Sequence, residues 1–300
     1  MQMRALSFAA LLSVVVPSLA ALPFTARAAE AAERPAELED LTLGNFFEGW
    51  SQPWSHRHRT TPDMALLKVT TNFLERELRL DYVRTDVRWS SRTKATDLAN
   101  ALIAYGLNRR LMVEVIGNEQ WSEGWKGAPT DGAGSGALVR LQLVDTATQS
   151  WSAQARVSPP NRGVGQTQTS FTYALAGWQD LRALVPALGR TGLYWSAQLE
   201  NLQGTHKAGG RENTVSYDVS LAHTWTEPAT PALGNLTTFL EAYGSTDLDG
   251  SGSGKTVASL TPGVRFWFVP ENSIMAGVDV PVSHAAPFAA VWRATYIMNF

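Results

Sequence analysis

The 300-residue chain has no cysteine. This absence excludes disulfides, thiolate nucleophiles and any zinc or iron–sulfur site that depends on cysteine ligands. Charged residues are also scarce, at 17% of the chain against roughly 25% in soluble domains. The net charge of -2 gives no reason to expect nucleic acid as a partner.

Long hydrophobic runs are missing too, apart from one near the start of the chain. The mean hydropathy of -0.13 excludes a bundle of transmembrane helices. The single run, residues 5–22, follows a short basic stretch and precedes the small-x-small sequence Ala26-Arg27-Ala28. This order predicts a signal peptide over residues 1–28, cleaved near Ala29, with an uncleaved membrane anchor as the alternative.

What the chain has in abundance is aromatic residues, including 11 tryptophans, and a regular alternation of apolar and polar positions. Between residues 138 and 143, the apolar Val139, Leu141 and Leu143 alternate with the polar Arg140 and Gln142. A period of two is that of a β-strand with one apolar face. The same pattern recurs at residues 151–157, 193–200, 215–221 and 274–282.

Three features favour a membrane barrel over a soluble β-sandwich, in which one face is also buried. The alternating segments run to about ten residues, the length that a membrane-spanning strand needs. Their connections alternate between short ones, such as residues 106–109 and 269–272, and long glycine-rich ones, such as residues 119–136. Tryptophans stand near strand ends, where interfacial girdles belong, at Trp151, Trp178, Trp225, Trp267 and Trp292.

Candidate strands can be counted back from the end of the chain, and there are thirteen: 287–300, 273–282, 255–268, 234–245, 213–226, 191–202, 167–178, 149–158, 135–145, 109–119, 97–106, 76–88 and 64–73. Bacterial single-chain barrels have an even number of strands, so we expect about 14, with residues 41–50 as the additional strand. Twelve strands are the alternative, if the two earliest segments form an arm or plug. Residues 178–192 should contain one or two helical turns at the periplasmic rim.

The predicted fold is therefore all-β, a transmembrane antiparallel up-and-down barrel over residues 41–300, preceded by a periplasmic segment at 29–40. Such a barrel must close its last strand on its first, because unpaired backbone groups in hydrocarbon cost several kcal/mol each.

The last strand resembles the C-terminal signature of bacterial outer-membrane proteins, through the alternate positions Trp292, Tyr296, Met298 and Phe300. Ala294 stands where that signature commonly has glycine, which is a mild departure. The resemblance implies location in the outer membrane of a Gram-negative bacterium. It also implies two partners, the barrel-assembly machinery and outer-membrane lipid.

The polar faces of the strands should converge on the barrel interior. The candidate lumen-lining residues are Arg79, Asp81, Glu114, Arg140, Gln142, Gln154, Arg156, Gln198, Glu200, Asp218, Arg265, Asp279 and Arg293. Two interpretations stay open. Opposed charges could set the selectivity of a channel, or they could pair across strands and fill a narrow lumen.

Two stretches contain histidines that could take part in chemistry. His56 and His58 alternate with Arg57 and Arg59 and lack further ligands, so a solvated basic loop is expected, or a contact with anionic lipid. His223 continues the lipid face of its strand, with Ser216, Asp218 and Ser220 on the opposite face, and a barrel-wall hydrolase is the alternative to an interfacial histidine. We expect no catalytic site, no metal and no cofactor.

Residues 45–82 contain the sequence Gly-Trp-x-x-Pro-Trp at 49–54 and continue with "PDMALLKV" and "NFLERE". This stretch resembles the outer-membrane transporter family associated with the phenol-degradation meta pathway. The resemblance covers about a third of the mature chain, supplies no binding residues, and implies passage of hydrophobic or aromatic compounds. We therefore expect a channel or transporter for passive uptake of a small molecule that the sequence does not name. The alternatives are a lipid-acting barrel enzyme and a structural or adhesive barrel.

Overall fold

The barrel is known from a computed structural model that describes residues 38–57, 59–88, 95–122, 135–160, 168–203 and 212–300. Within these residues, antiparallel strands form a closed barrel in which each strand pairs with its neighbours in sequence. The twelve strands are β1 (Arg76–Val87), β2 (Ala95–Gly106), β3 (Leu111–Ser122), β4 (Gly136–Asp145), β5 (Gln149–Ser158), β6 (Thr169–Asp180), β7 (Thr191–Gln203), β8 (Asn213–Thr224), β9 (Gly234–Asp247), β10 (Thr256–Val269), β11 (Asn272–Pro281) and β12 (Phe288–Asn299).

Alternate side chains of each strand point to opposite sides of the wall, as the sequence predicts. In the middle of β8, Tyr217 and Val219 are about half exposed, at 48% and 50%, whereas Asp218 and Ser220 are each 1% exposed. The outside of the barrel is therefore apolar and the inside polar. This arrangement is stable in a bilayer, because the exposed apolar side chains then meet hydrocarbon instead of water.

The barrel closes as expected. β12 pairs with β1, with Glu77 opposite Asn299, and the backbone N–H of Phe300 donates to the carbonyl of Arg76 at 3.0 Å. Closure leaves no sheet edge to satisfy in the membrane.

The two ends of the barrel differ in the length of their connections. One end carries the short turns, such as residues 270–271 between β10 and β11 and residues 146–148 between β4 and β5. The other end carries longer ones, such as residues 248–255 between β9 and β10. We assign the first end to the periplasm, following the pattern of outer-membrane barrels. The β6–β7 connection there contains two short 3-10 turns, Leu181–Ala183 and Pro186–Leu188, as predicted.

The preferred number of 14 strands is wrong, and the alternative of twelve strands with an internal plug is confirmed. Neither residues 41–50 nor residues 64–73 belong to the wall. The reason is visible at Ala65, Leu66 and Leu67, which are consecutive and 0%, 2% and 7% exposed. A wall strand turns every second side chain to lipid, whereas this segment is surrounded by protein.

Residues 40–300 form one compact unit, and the wall itself begins only at Arg76. The predicted signal peptide (1–28) and most of the periplasmic segment (29–40) lie outside the described residues. None of the helices found in the described part of the chain is long and apolar enough to span a membrane.

Candidate functional site

The chain crosses the periplasmic mouth of the barrel before it enters the wall, and we call residues 41–57 the strap. Leu41 forms a β-bridge with Asp145, and Pro53 forms one with Asn108. Trp54 packs directly on Gly106, where an added Cβ would come within 2.1 Å of the indole ring. The Gly-Trp-x-x-Pro-Trp motif therefore fastens the strap to the turns beneath β2 and β4.

The basic stretch at the end of the strap is not a solvated loop, contrary to expectation. Arg57 pairs with Asp40 at 3.1 Å and with Asp145 at 3.4 Å, and Arg59 pairs with Asp63 and Asp145. The side chains of Arg57 and Arg59 are 7% and 2% exposed, so neither arginine is available to lipid headgroups. Because Asp145 is distant in the sequence, its pairing with these two arginines could not be predicted from the sequence. His58 lies outside the described residues.

Across the described ranges, no group of three or more His, Cys, Asp or Glu side chains is placed to hold a metal ion.

Residues 59–75 form a plug inside the barrel. The segment ascends from the periplasmic mouth, where the Tyr194 hydroxyl donates to the carbonyl of Pro62 at 2.8 Å. Higher up, Arg265 donates to the carbonyl of Ala65 at 2.9 Å. Contacts to β7 and β10 on the inner face place the segment within the lumen.

The tip of the plug is held by two carboxylates of the wall. The backbone N–H groups of Lys68 and Val69 both donate to Glu241, each at 3.1 Å. Lys68 Nζ lies 3.2 Å from a carboxylate oxygen of Asp279, which Arg293 also contacts at 2.9 Å. Glu241 and Asp279 are fully buried.

The descending half of the plug returns along the opposite wall to the start of β1. Three predicted lumen residues hold it there through their side-chain nitrogens: Gln198 donates to the Thr70 hydroxyl at 2.7 Å, Gln154 to the Thr71 carbonyl at 2.5 Å, and Arg140 to the Phe73 carbonyl at 2.7 Å. The plug is thus tied to the wall through its backbone along its whole length.

Aromatic residues of the wall form an apolar bed for the plug. Trp178 was predicted to lie in the lipid-facing girdle, but it is fully buried and points inward. It packs in one cluster with Tyr194, Phe239 and the plug residue Leu66. The girdle prediction fails at Trp178 because the plug supplies apolar contacts inside the barrel that the strand pattern alone does not reveal.

Between the plug and the long loops lies a cavity of about 910 Å³, with plug residues 66–71 among its lining. Nine of the thirteen predicted lumen residues line it: Arg79, Asp81, Glu114, Arg140, Gln154, Arg156, Gln198, Glu200 and Arg293. The other four lie elsewhere within the barrel. Arg265 and Asp279 contact the plug, Gln142 donates to Ser150 at 2.9 Å, and Asp218 accepts from Ser196 at 2.7 Å.

Charged groups are concentrated on one side of the cavity. Arg79 pairs with Asp81 at 2.7 Å, and Arg140 lies 3.7 Å from Glu114. The strands on the other side contribute hydroxyl groups, from Ser170, Thr172, Thr214, Ser216 and Tyr243, together with the carboxylates of Glu200 and Asp247. The cavity therefore offers paired charges of both signs on one side and hydroxyl groups with carboxylates on the other.

Glu75, at the foot of the plug, is a buried carboxyl group that precedes β1. Burial raises the pKa of Glu75 well above its usual range, and the neighbouring Glu77 carboxylate raises it further. Arg265 and Arg140 act in the opposite direction, with smaller effect. The Glu75 carboxyl group therefore binds a proton more readily in the folded plug than in the unfolded chain.

The residues of the alternative hydrolase do not come together. His223 Nδ1 lies 2.8 Å from the Thr191 hydroxyl, and its ring packs 4.4 Å from that of Trp225. Asp218 points to the opposite side of the wall, where it accepts a hydrogen bond from Ser196. The interfacial interpretation of His223 agrees with this geometry.

Sequence reasoning missed Lys68 and Glu241, which hold the tip of the plug. Glu241 lies in β9, where the inward Phe239 weakens the alternation, and Lys68 lies in a segment expected to be wall. An unusually apolar stretch around Lys68, "MALLKV", was the available signal of an internal position.

Comparison with known proteins identifies chains of similar structure. No protein-family profile matches the chain, and no curated protein matches it in sequence. An outer membrane channel from Pseudomonas putida F1 is similar in structure, with a TM-score of 0.50 and 14% identity over 79% of this chain and 100% of that chain. The NanC porin gives a TM-score of 0.47 at 7% identity, over 75% of this chain and 99% of that chain. LpxR from Salmonella typhimurium gives a TM-score of 0.41 at 9% identity, over 75% of this chain and 100% of that chain.

Similarity at this level of identity concerns the fold alone. A closed antiparallel barrel, an apolar outer face and a polar interior are together the properties of a bilayer-spanning barrel. The chain is an outer-membrane β-barrel of a Gram-negative bacterium, with twelve strands in the part that the structure describes.

Proposed function

We propose that this protein is an outer-membrane channel for the passive uptake of small molecules, with a solute-binding vestibule above an internal plug. The observation that carries the proposal is the cavity of about 910 Å³ between the long loops and the plug tip. Its volume falls in the range of roughly 300–1,000 Å³ typical of small-molecule sites. A solute entering from outside would therefore be held before it reaches the plug.

The lining supports a solute with one polar end. Charged pairs such as Arg79–Asp81 lie on one wall, whereas the plug contributes the apolar Leu66, Leu67 and Val69 next to the polar Lys68, Thr70 and Thr71. A small aromatic acid has a carboxylate for the first surface and an apolar ring for the second. The resemblance of residues 45–82 to the meta-pathway transporter family favours aromatic compounds as well.

Passage beyond the vestibule requires the plug to shift. Its hydrogen bonds to neutral groups of the wall contribute about 0.5–1.5 kcal/mol net each, and those to Glu241, Arg265 and Arg140 about 1.5–3 kcal/mol. A shift of the plug would have to break these bonds while the hydrogen bonds between the wall strands stay intact. A channel is favoured over a lipid-acting enzyme because His223 and Asp218, which the enzyme would use together, lie on opposite faces of β8.

The test combines planar bilayers with liposome swelling. We expect discrete single-channel openings, and faster swelling with aromatic acids than with sugars or neutral amino acids. Arg156→Glu should alter ion preference, seen as a shifted reversal potential in a salt gradient. Arg84→Glu, with its side chain 41% exposed and paired with Asp97, is the control and should leave that potential unchanged. Absence of both conductance and swelling would contradict the channel.

A further inference from the structure

The strap presents a cluster of apolar side chains that no described part of the protein covers. Phe47, Leu43 and Trp50 are 92%, 60% and 38% exposed. The ring of Phe46 joins them, edge-to-face with Phe47 at 5.8 Å and with Trp50 at 5.9 Å. We call Leu43, Phe46, Phe47 and Trp50 the rim patch. Apolar side chains grouped and exposed in this way mark an interaction surface.

The backbone beneath the rim patch is held in one conformation. Arg110, which is fully buried, donates to the carbonyls of Asn45 at 2.8 Å and Glu48 at 2.9 Å. Gly49 has a φ of +83°, and a Cβ at this position would press on Leu41 at 3.1 Å. The aromatic side chains are therefore presented by a fixed loop. Binding does not require this loop to lose further conformational entropy, because the fold already holds it in place.

The rim patch lies next to strand ends that belong to the lipid-facing surface of the barrel. Arg110 lies 5.4 Å from the Phe46 ring and also donates to the carbonyl of Leu143, near the end of β4. The outward side chains at these strand ends are apolar as well, with Leu107 and Trp151 exposed by 47% and 39%. The patch thus lies beside the periplasmic edge of the membrane-facing belt, at the depth where aromatic residues gather in membrane proteins.

We propose that the rim patch inserts into the interface of the periplasmic leaflet. It would thereby anchor the strap, and with it the start of the plug, to the lipid surface. Tryptophan and phenylalanine suit this boundary, because their rings leave water while nearby polar groups stay hydrated. Lipid is the occupant that the continuity with the membrane-facing belt supports. The proposal does not depend on which solute the channel carries.

The absence of cysteine makes a direct measurement possible, since Phe47→Cys introduces a single thiol for an environment-sensitive fluorophore. The barrel is reconstituted in vesicles of phosphatidylethanolamine and phosphatidylglycerol that carry a nitroxide either at the headgroup or deep in the acyl chain. We expect a blue-shifted emission from position 47 and a loss of intensity that is larger with the headgroup nitroxide.

Two matched positions calibrate the result. Val115→Cys, at a residue 62% exposed on the outer face, should be quenched more by the deep nitroxide. Ala147→Cys, at an exposed position of the β4–β5 turn, should be quenched by neither. Heat-modifiable gel mobility verifies that each labelled barrel is folded. A label at position 47 that behaves like the one at position 147 would overturn the proposal. A blue shift that rises with barrel concentration and is insensitive to both nitroxides would also overturn it, and would assign the patch to a second copy of the chain.

Discussion

Lys68 Nζ lies 3.2 Å from Asp279 Oδ2 and so joins the tip of the plug to β11. Both side chains are buried, at 6% and 0% exposure, and Lys68 also lies over the ring of Tyr243 at 3.8 Å. Arg293 shares the same carboxylate at 2.9 Å. A buried ion pair adds little net stability over an apolar pair, but losing one partner is costly. The contact therefore fixes where the plug tip rests more than how stable the barrel is.

Lys68→Met should release the plug tip without unfolding the wall, because Asp279 keeps Arg293 as a partner. Loss of a hydrogen bond to a charged group costs about 1.5–3 kcal/mol, so the population of displaced plug should rise roughly tenfold or more. Single-channel recording measures this as open probability. Lys255→Met removes the same charge from the cavity lining away from the plug and should have little effect. Equal open probabilities in Lys68→Met and wild type would contradict this role.

An arginine substitution should destabilise the barrel on the outer face of β8 and be tolerated on the inner face. Val219→Arg places a charge on the outer face near the middle of the strand, and should destabilise the barrel by about 2–4 kcal/mol. Ser216→Arg points into the cavity on the same strand and should be tolerated. Urea unfolding of both variants in liposomes, followed by tryptophan fluorescence, makes the comparison. If Val219→Arg proved as stable as Ser216→Arg, the assignment of the lipid face would be wrong.

Glu75 should make the plug sensitive to pH. Because burial and Glu77 raise the pKa of Glu75, the seated plug binds a proton more tightly than the released chain does. This contribution to plug stability is complete below the ordinary carboxyl pKa of about 4.3 and is lost as the pH rises through the raised value. We therefore expect the open probability to increase with pH.

The matched variant for this pH effect is Glu75→Gln, which keeps the neutral form at every pH and should flatten the dependence. Glu227→Gln, with its side chain 77% exposed in the β8–β9 connection, should leave the dependence as in wild type. A pH profile that survives Glu75→Gln would mean that another group controls the plug.

The wall of the barrel could be predicted from the sequence, because each strand carries its own signal. The predicted segment 149–158 coincides with β5, and most other predicted strands end within two residues of those observed. The alternation of apolar and polar residues predicts the strands well, because neighbouring residues face lipid on the outside and polar groups on the inside.

The plug could not be predicted with the same certainty, because its contacts are non-local. Residues 64–73 are apolar enough to pass for a strand, and only the surrounding wall shows that consecutive residues of this segment, such as 64–67, are buried. Trp178 faces the plug in place of lipid, so its inward position follows from a segment more than 100 residues away. The thirteen polar residues could be placed inside the barrel, but which of them hold the plug depends on its path.

Deleting Phe300 should separate assembly from stability. The backbone N–H of Phe300 makes one hydrogen bond, to Arg76 at 3.0 Å, and its side chain is 56% exposed. Its loss should therefore cost the folded barrel only about 0.5–1.5 kcal/mol. If Phe300 also ends the signal that the assembly machinery reads, insertion in cells should fall far more than this small cost explains. Heat-modifiable mobility of barrel refolded in detergent, compared with barrel extracted from cell envelopes, measures both effects. Similar, small losses of folded barrel in the two samples would mean that Phe300 is only an interfacial aromatic. Tyr296→Ala offers an independent check, because it removes another aromatic from the same face and leaves Phe300 in place.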